Sequence, residues 1–324
     1  MDEKNAVSLP PATTVAYGEH PSQFIDVYTP AGAGPHPVVV LIHGGFWRLP
    51  WGRDLMSGLA GDLVGRGFAV VNVEYRRLGE DGGGWPGTCE DIVSALRVMA
   101  GKREQASQPS ADLHPDPDPD LSAGTGAGTG AGTGADPGTS AGSEPNPDPS
   151  LDRGLDLDPD GGLDLGLDLS RVALVGHSAG AYLALWAARH TPFPSRVVVS
   201  QSGVLDLRAA ARDRLDGSAD ERLPAAVEFV GGEPDDTDFE AAYSLASPIE
   251  LLPLGPDVHQ FVLHGDADNR VPFQQSVDYV AAARAVGDSV ELAAFTGMGH
   301  FEVIDATHES WLRVVEELAR RLGA

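Results

Sequence analysis

One turn constrains the fold of this chain of 324 residues more than any other feature of its sequence. The apolar stretch 172–175 runs into Gly176-His177-Ser178-Ala179-Gly180, and the alanine-rich stretch 181–188 follows. A continuous β-branched and aliphatic run predicts a strand buried on both faces, and the stretch after the turn predicts a helix. So sharp a turn leaves room only for small residues beside Ser178, as glycine provides. The pattern therefore predicts a mostly parallel sheet covered by helices, with Ser178 at the end of one strand.

The same alternation of strand and helix patterns recurs along the chain. Further strands are predicted at 24–28, 38–42, 68–73, 196–200, 261–263 and 290–295. Helices are predicted at 54–66, 88–100, 179–189, 273–286 and 308–322. We expect 24–28 to be an early edge strand, and Thr88 with Asp91 to cap the helix 88–100. In an open α/β sheet of this kind, ligands bind beyond the carboxyl ends of the strands.

Residues 101–169 differ in composition from the rest of the chain. They contain Pro-Asp repeats, three Ala-Gly-Thr-Gly units and a Leu-Asp tract, with 14 acidic and 3 basic residues and no Phe, Trp or Tyr. Such a composition buries too little apolar surface to offset chain entropy. We therefore expect one domain over 1–324 that is interrupted by a low-complexity, disordered insertion at 101–169.

Charge and cysteine usage limit the classes of partner and compartment. The formal net charge of −26 disfavours nucleic acid as a partner, because phosphate binding needs a basic surface. The single cysteine excludes an intrachain disulfide and a cysteine-rich zinc site, and we expect neither a metal nor another cofactor. We also expect no membrane span and, in the absence of a recognisable signal peptide, a cytoplasmic location.

Three polar residues follow predicted strands in an order that indicates nucleophilic catalysis. Ser178 needs an adjacent base, and His300 lies on a glycine-containing loop after the last predicted strand. Asp266 and Asp268 both follow the strand 261–263 and compete for the role of the acid that orients the histidine. We favour Asp268, which lies three residues before Val271-Pro272, and expect Asp266 to shape the turn.

Backbone N–H groups for a developing oxyanion are expected from two places. One is Ala179, directly after the serine, and the others are Gly45 and Phe46 in the loop that follows the strand 38–42. Trp47 and Trp85 are candidate apolar walls for a substrate. The proline-containing stretch 202–258 is predicted to form a small lid.

These motifs together resemble one family. The resemblance is carried by 17–30, His43-Gly44-Gly45-Phe46-Trp47, 73–76, the turn 176–180, the Asp268 loop and Gly299-His300. The chain resembles the esterase and lipase branch of the α/β-hydrolases, and is most similar to kynurenine formamidases and small carboxylesterases. The resemblance implies a sheet of about eight strands with helices on both faces, and Gly45 and Phe46 as oxyanion donors.

The resulting functional hypothesis is a serine hydrolase that cleaves a small carboxylic ester through an acyl-enzyme. The alternative with the same residues is an arylformamidase acting on N-formylkynurenine. A third possibility, of a different class, is a non-catalytic binding protein on a hydrolase scaffold. The expected partner is thus a small-molecule ester or amide.

Overall fold

Eight strands form a single sheet in the computed structural model, which describes residues 9–101, 165–190, 195, 197–217 and 222–323. The strands are β1 (Thr13–Ala16), β2 (Phe24–Tyr28), β3 (His36–Ile42), β4 (Ala69–Val73), β5 (Leu167–His177), β6 (Val197–Gln201), β7 (His259–Gly265) and β8 (Ser289–Phe295). Their order in the sheet is β1-β2-β4-β3-β5-β6-β7-β8. The pairs β1–β2 and β2–β4 are antiparallel and all the others are parallel, so strands β3 to β8 end at one edge.

Helices cover both faces of this sheet. They are α1 (Ser57–Gly65), α2 (Gly87–Met99), α3 (Ala179–His190), α4 (Leu207–Arg212), α5 (Ala225–Val230), α6 (Glu240–Ala246), α7 (Gln274–Ala285) and α8 (Glu309–Leu322). Val38 and Val40 of β3 belong to the same core cluster as residues of α2, α3 and α7, whereas Val39 and Leu41 belong to the cluster that includes α1 and α8. Each such aliphatic side chain, fully buried, contributes about 1.5–3 kcal/mol. The predicted α/β architecture with helices on both faces is confirmed.

The first strand of the sheet was not predicted. β1 pairs with β2 and forms the edge, so the expectation that 24–28 is the edge strand is wrong. Only Val15 of the four β1 residues is buried. A short strand with one buried side chain gives almost no hydrophobic signal in the sequence.

The cap predicted for the helix 88–100 is also wrong. α2 begins at Gly87, and the hydroxyl of Thr88 accepts from the N–H of Gly84 and donates to the carbonyl of Arg76. The Asp91 carboxylate accepts from the Arg76 guanidinium at 2.7 Å instead of capping the helix. Both side chains thus stabilise the loop before α2 and do not cap the first turn of the helix.

The insertion lies mostly outside the described residues, where its predicted disorder stays a prediction. Its predicted end at residue 169 is wrong, because β5 begins at Leu167 and pairs there with His36 of β3. The leucines at the end of the Leu-Asp tract pack against the core, and composition alone did not separate them from the rest of the tract.

The described part of the stretch between β6 and β7, where the sequence predicts a lid, contains the short α-helices α4 to α6. α5 packs against the loop after β3 through Phe229, whose ring lies 4.3 Å from that of Trp47. Among the described helices of the chain, none is both long and apolar enough to cross a membrane.

Candidate active site

Ser178 occupies a strained turn between β5 and α3. Its φ angle is 56°, in the left-handed region that non-glycine residues rarely adopt. A Cβ on Gly176 would lie 2.1 Å from the carbonyl oxygen of Gly180, and a Cβ on Gly180 would lie 2.1 Å from that of Ile42. The flanking glycines are therefore required by main-chain contacts that leave no space for a side chain. Within the described part of the chain, the buried Ser178 hydroxyl has no hydrogen-bond partner.

The structure brings His300 and Asp268 into direct contact. Nδ1 of His300 lies 2.7 Å from Oδ2 of Asp268, whose side chain is fully buried. The other carboxylate oxygen accepts the N–H groups of Arg270 and Val271 at 2.8 and 2.9 Å. Burial alone would raise the pKa of Asp268, but hydrogen bonds from His264 and His300 hold that pKa far below its usual range. The carboxylate is ionised and fixes Nδ1–H of His300, which leaves Nε2 to accept a proton.

Asp266 does not contact this histidine. Its carboxylate accepts the N–H of Gly297 at 2.6 Å and so joins the loop after β7 to the loop after β8. This placement agrees with the turn-shaping role expected for Asp266. It leaves Asp268 as the carboxylate beside His300.

His177, the variable residue of the glycine-serine turn, was not singled out from the sequence. Its Nε2 lies 3.0 Å from the carbonyl oxygen of His300, and the two rings are 4.7 Å apart. Burial and the neighbouring His300 lower the pKa of His177 to about 3. The neutral ring therefore donates Nε2–H to His300 and holds the backbone of the loop that carries it.

The loop after β3 lines the same cavity as Ser178 through Gly45 and Phe46. Gly45, Phe46 and Trp47 have φ angles of 110°, 51° and 56°, and the N–H of Arg48 closes the turn on the carbonyl of Gly45 at 2.9 Å. No hydrogen bond in the described part of the chain uses the N–H of Gly45, Phe46 or Ala179. These three donors are unpaired as a site for an oxyanion requires.

A network of buried polar side chains stabilises the loop after β3. Nδ1 of His43 lies 2.7 Å from the carbonyl of Gly44, and Nε2 lies 3.0 Å from the Glu74 carboxylate. The Tyr75 hydroxyl donates to the carbonyl of His43 at 2.8 Å, and its ring stacks on the imidazole at 4.1 Å. Burial would raise the pKa of Glu74, but the hydrogen bond from His43 lowers it below its usual value. The network fixes the peptide plane between Gly44 and Gly45, and therefore the direction of the Gly45 N–H.

Arg48 ties the loop to the segment between β6 and β7. Its guanidinium forms ion pairs with Asp216 and Glu228 and donates to the carbonyls of Asp216 and Leu223 at 3.0 and 2.8 Å. The Arg48 side chain is only 8% exposed. We call these four residues the Arg48 clamp. No local sequence pattern indicates this clamp, since its partners lie about 170 residues further along the chain.

Ser178 and His300 line a cavity of about 270 Å³, together with Gly45 and Phe46. Three exposed apolar side chains, those of Leu49, Trp51 and Phe301, line the mouth of the cavity beside the exposed Arg222 and Arg270. The rings of Trp51 and Phe301 are 6.4 Å apart.

The two tryptophans predicted as substrate walls lie elsewhere, so this expectation is corrected. Trp47 is 1% exposed and packs in the core against Phe229 and Tyr182. Trp85 packs on Trp186 with ring centroids 5.8 Å apart, away from the cavity. The left-handed turn at residues 45–47 directs the indole of Trp47 inward.

No cluster of three or more potential metal-ligating side chains occurs among the residues that the structure describes.

Two family models match the chain over different stretches. The model of the prolyl oligopeptidase family, Peptidase S9, matches residues 165–320, and the BD-FAE model matches residues 25–109. A kynurenine formamidase from Danio rerio is 40% identical over 62 residues, which cover 19% of this chain and 21% of that relative.

Solved structures of esterases share the whole fold. A truncated carbohydrate esterase from gut microbiota gives a TM-score of 0.67 at 18% identity and covers 99% of both chains. A bacterial heroin esterase gives 0.63 at 20% identity, over 99% of this chain and 86% of that one. An esterase from the planctomycete Thermogutta terrifontis gives 0.61 at 18% identity, over 97% and 93%.

The sheet order and the strand-turn-helix at Ser178, with these matches, define a hydrolase on a doubly wound α/β scaffold. The family-model, formamidase and esterase matches together support the esterase branch of the α/β-hydrolases for this chain, as its motifs predicted.

Proposed function

We propose that the protein hydrolyses small carboxylic esters through an acyl-enzyme on Ser178. The observation that carries the proposal is the 2.7 Å contact between His300 and a buried, ionised Asp268, beside the same cavity as the strained serine. The esterase structures that share the fold support the reaction class.

In the first half-reaction the Ser178 hydroxyl attacks the ester carbonyl while Nε2 of His300 takes its proton. Asp268 keeps Nδ1–H of His300 directed inward and stabilises the imidazolium. Negative charge develops on the carbonyl oxygen, and the unpaired N–H groups of Gly45, Phe46 and Ala179 are the donors proposed to receive it. The imidazolium then protonates the departing alkoxide, which leaves an acyl-serine and a neutral His300.

In the second half-reaction a water molecule replaces the alcohol. His300 takes a proton from the water, the hydroxide adds to the acyl carbon, and collapse of the intermediate returns the proton to Ser178. The Ser178 hydroxyl has no partner in the described part of the free structure, so its rotation toward His300 breaks no existing hydrogen bond there.

An arylformamidase is the second candidate. Two observations favour it: the 62-residue match to a kynurenine formamidase, and the aromatic pair Trp51 and Phe301 at the cavity mouth. The chemistry is the same, with an aryl amine in place of the alcohol. The binding-protein alternative requires that the serine be unreactive.

Steady-state kinetics on p-nitrophenyl acetate and butyrate, set beside N-formylkynurenine, separate these functions. We expect a larger kcat/KM on the esters, and Ser178→Ala should lower kcat by about 10⁴–10⁶ without changing the unfolding temperature. A higher kcat/KM on the formamide would favour the arylformamidase. Absence of hydrolysis, together with no labelling of Ser178 by a fluorophosphonate, would support a binding protein and exclude both enzymes.

A further inference from the structure

Three arginines line the cavity, and they differ in how their charge is balanced. Arg48 is neutralised inside its clamp by Asp216 and Glu228. Arg222 lies 3.5 Å from the same Asp216 carboxylate. Arg270 has no carboxylate within ion-pair distance among the residues that the structure describes.

The position of Arg270 is fixed by the catalytic machinery itself. Its backbone N–H donates to Oδ1 of Asp268 at 2.8 Å, so its Cα cannot shift without disturbing the acid that orients His300. The side chain is exposed to solvent and still lines the cavity that contains Ser178. The backbone of Arg270 is therefore held at a defined place beside the reaction centre, and its exposed side chain lines the cavity.

The strongly negative charge of the protein makes an unpaired arginine beside the cavity an indication of ligand chemistry. With a net charge of −26, the protein as a whole repels an anionic ligand. Asp216 is the one acidic residue among the described residues that line the cavity, and Arg48 already binds it. The Asp268 carboxylate is bound by histidines. A guanidinium presents paired N–H donors that match a carboxylate, so a free one at a cavity wall suits an anionic group.

The apolar side chains at the mouth of the cavity indicate the chemistry of the rest of the ligand. Leu49, Trp51 and Phe301 are 43–49% exposed, so apolar surface at the mouth is left in contact with water. The cavity, about 270 Å³, lies just below the range of roughly 300–1,000 Å³ found for ligand pockets. A ligand with a short apolar body and one anionic end would cover this surface and reach Arg270.

We propose that Arg270 binds a carboxylate of the substrate, and that the esters cleaved carry a free carboxylate in addition to the scissile bond. The proposal rests on the proposed ester hydrolysis and makes Arg270 a specificity-determining residue. The carboxylate belongs to either the acyl group or the alcohol, and two pairs of substrates distinguish these sources.

The test compares matched neutral and anionic esters. For the acyl side, p-nitrophenyl butyrate is compared with mono-p-nitrophenyl glutarate. For the alcohol side, methyl 4-acetoxybenzoate is compared with 4-acetoxybenzoate. We expect Arg270→Gln to lower kcat/KM for the anionic member of one pair by 10- to 100-fold, mainly through KM, and to leave both neutral esters within twofold. Arg270→Lys should restore part of the loss.

A matched control removes the same charge elsewhere. Arg284 is exposed on α7 and does not line the cavity, so Arg284→Gln should change no ester by more than twofold. Equal losses on neutral and anionic esters with Arg270→Gln would show that Arg270 acts only through Asp268, and would overturn the proposal. Unchanged kinetics on both anionic esters would overturn it as well.

A different result would show that the proposed hydrolysis, and not the carboxylate subsite, is wrong. If wild-type protein cleaves neither neutral ester, ester hydrolysis itself is wrong, and calorimetry with glutarate and 4-hydroxybenzoate still tests the subsite. Binding of either acid to wild type that weakens at least tenfold in Arg270→Gln would support the carboxylate subsite. Equal affinity, or no binding to wild type, would overturn it.

Discussion

Removing the guanidinium of Arg48 tests whether the loop after β3 is held in place by its long-range partners. Arg48→Met keeps the aliphatic volume of the side chain but deletes every contact of the Arg48 clamp. Because the N–H of Arg48 closes the turn that presents Gly45 and Phe46, a loosened side chain would release that turn as well.

The expected cost in stability follows from how exposed each partner is. The Asp216 side chain is 20% exposed and loses a charge-assisted partner, a change of about 1.5–3 kcal/mol. The Glu228 side chain is 41% exposed, so its pair contributes no more than about 1 kcal/mol after solvent screening. We therefore expect Arg48→Met to lower the free energy of unfolding by about 3 kcal/mol, and Glu228→Gln by less than about 1 kcal/mol.

The kinetic effect should be larger on kcat than on KM, because oxyanion donors act chiefly in the transition state. A single misplaced donor costs about 10²–10³ in kcat, so a loosened rather than absent loop should cost about 10- to 100-fold. The assay is p-nitrophenyl butyrate hydrolysis together with the inhibition constant of a trifluoromethyl ketone, whose adduct oxygen mimics the oxyanion. A folded Arg48→Met protein with kcat within twofold of wild type would refute the clamp's role in positioning the loop.

Three further outcomes are expected. Asp268→Asn should lower kcat by about 10³–10⁴ and Asp266→Asn by less than about tenfold on the same ester, and the reverse ranking would reassign the acid. Burial lowers the pKa of His177 from 6.5 to about 3. Between pH 6.5 and pH 3 the folded protein therefore binds fewer protons at this residue than the unfolded chain does, so the free energy of unfolding decreases as the pH falls through this range. In denaturant titrations, wild type should lose about 2 kcal/mol more than His177→Gln between pH 8 and pH 5, and equal losses would contradict a buried neutral ring. Replacing residues 104–162 with a short Gly-Ser linker should leave kcat/KM within about threefold, because the described ends of the insertion lie away from the site. Gly166 must be kept, since its carbonyl accepts the N–H of His36 at 2.9 Å, and a tenfold loss in a folded deletion would assign the insertion a role at the cavity.

The parts of the fold that the sequence predicted share one physical property. The central strands are continuous apolar runs buried on both faces, so hydrophobicity alone marks them. The sequence does not predict β1, because only Val15 of that strand is buried. It does not predict the start of β5, because the leucines there repeat the pattern of the preceding Leu-Asp tract. The pairing of the edge strand β1 and the start of β5 after the insertion depend on backbone hydrogen bonds, which cannot be inferred from amino-acid composition.

The candidate site divides in the same way. Ser178, Asp268 and His300 each follow a strand directly, so the sheet topology alone gathers them at one edge. Their catalytic roles stay a prediction until the variants above are measured. The sequence predicts Trp47 and Trp85 as apolar walls, whereas Trp51 lines the cavity. The direction of the Trp47 side chain depends on three consecutive residues with positive φ angles, which the sequence does not reveal.

The close packing of glycines around Ser178 bears on how such an enzyme can change its substrate. A Cβ on Gly44 would lie 2.8 Å from the carbonyl of His177, and one on Gly180 would lie 2.1 Å from that of Ile42. The obstacle in both cases is main chain, so no second substitution elsewhere can make room. Trp51 and Phe301, in contrast, are 43% and 45% exposed at the rim, so part of each side chain can change size against water rather than main chain. Directed evolution of this scaffold should therefore accumulate its changes at the rim and leave the turn and the loop beneath it untouched.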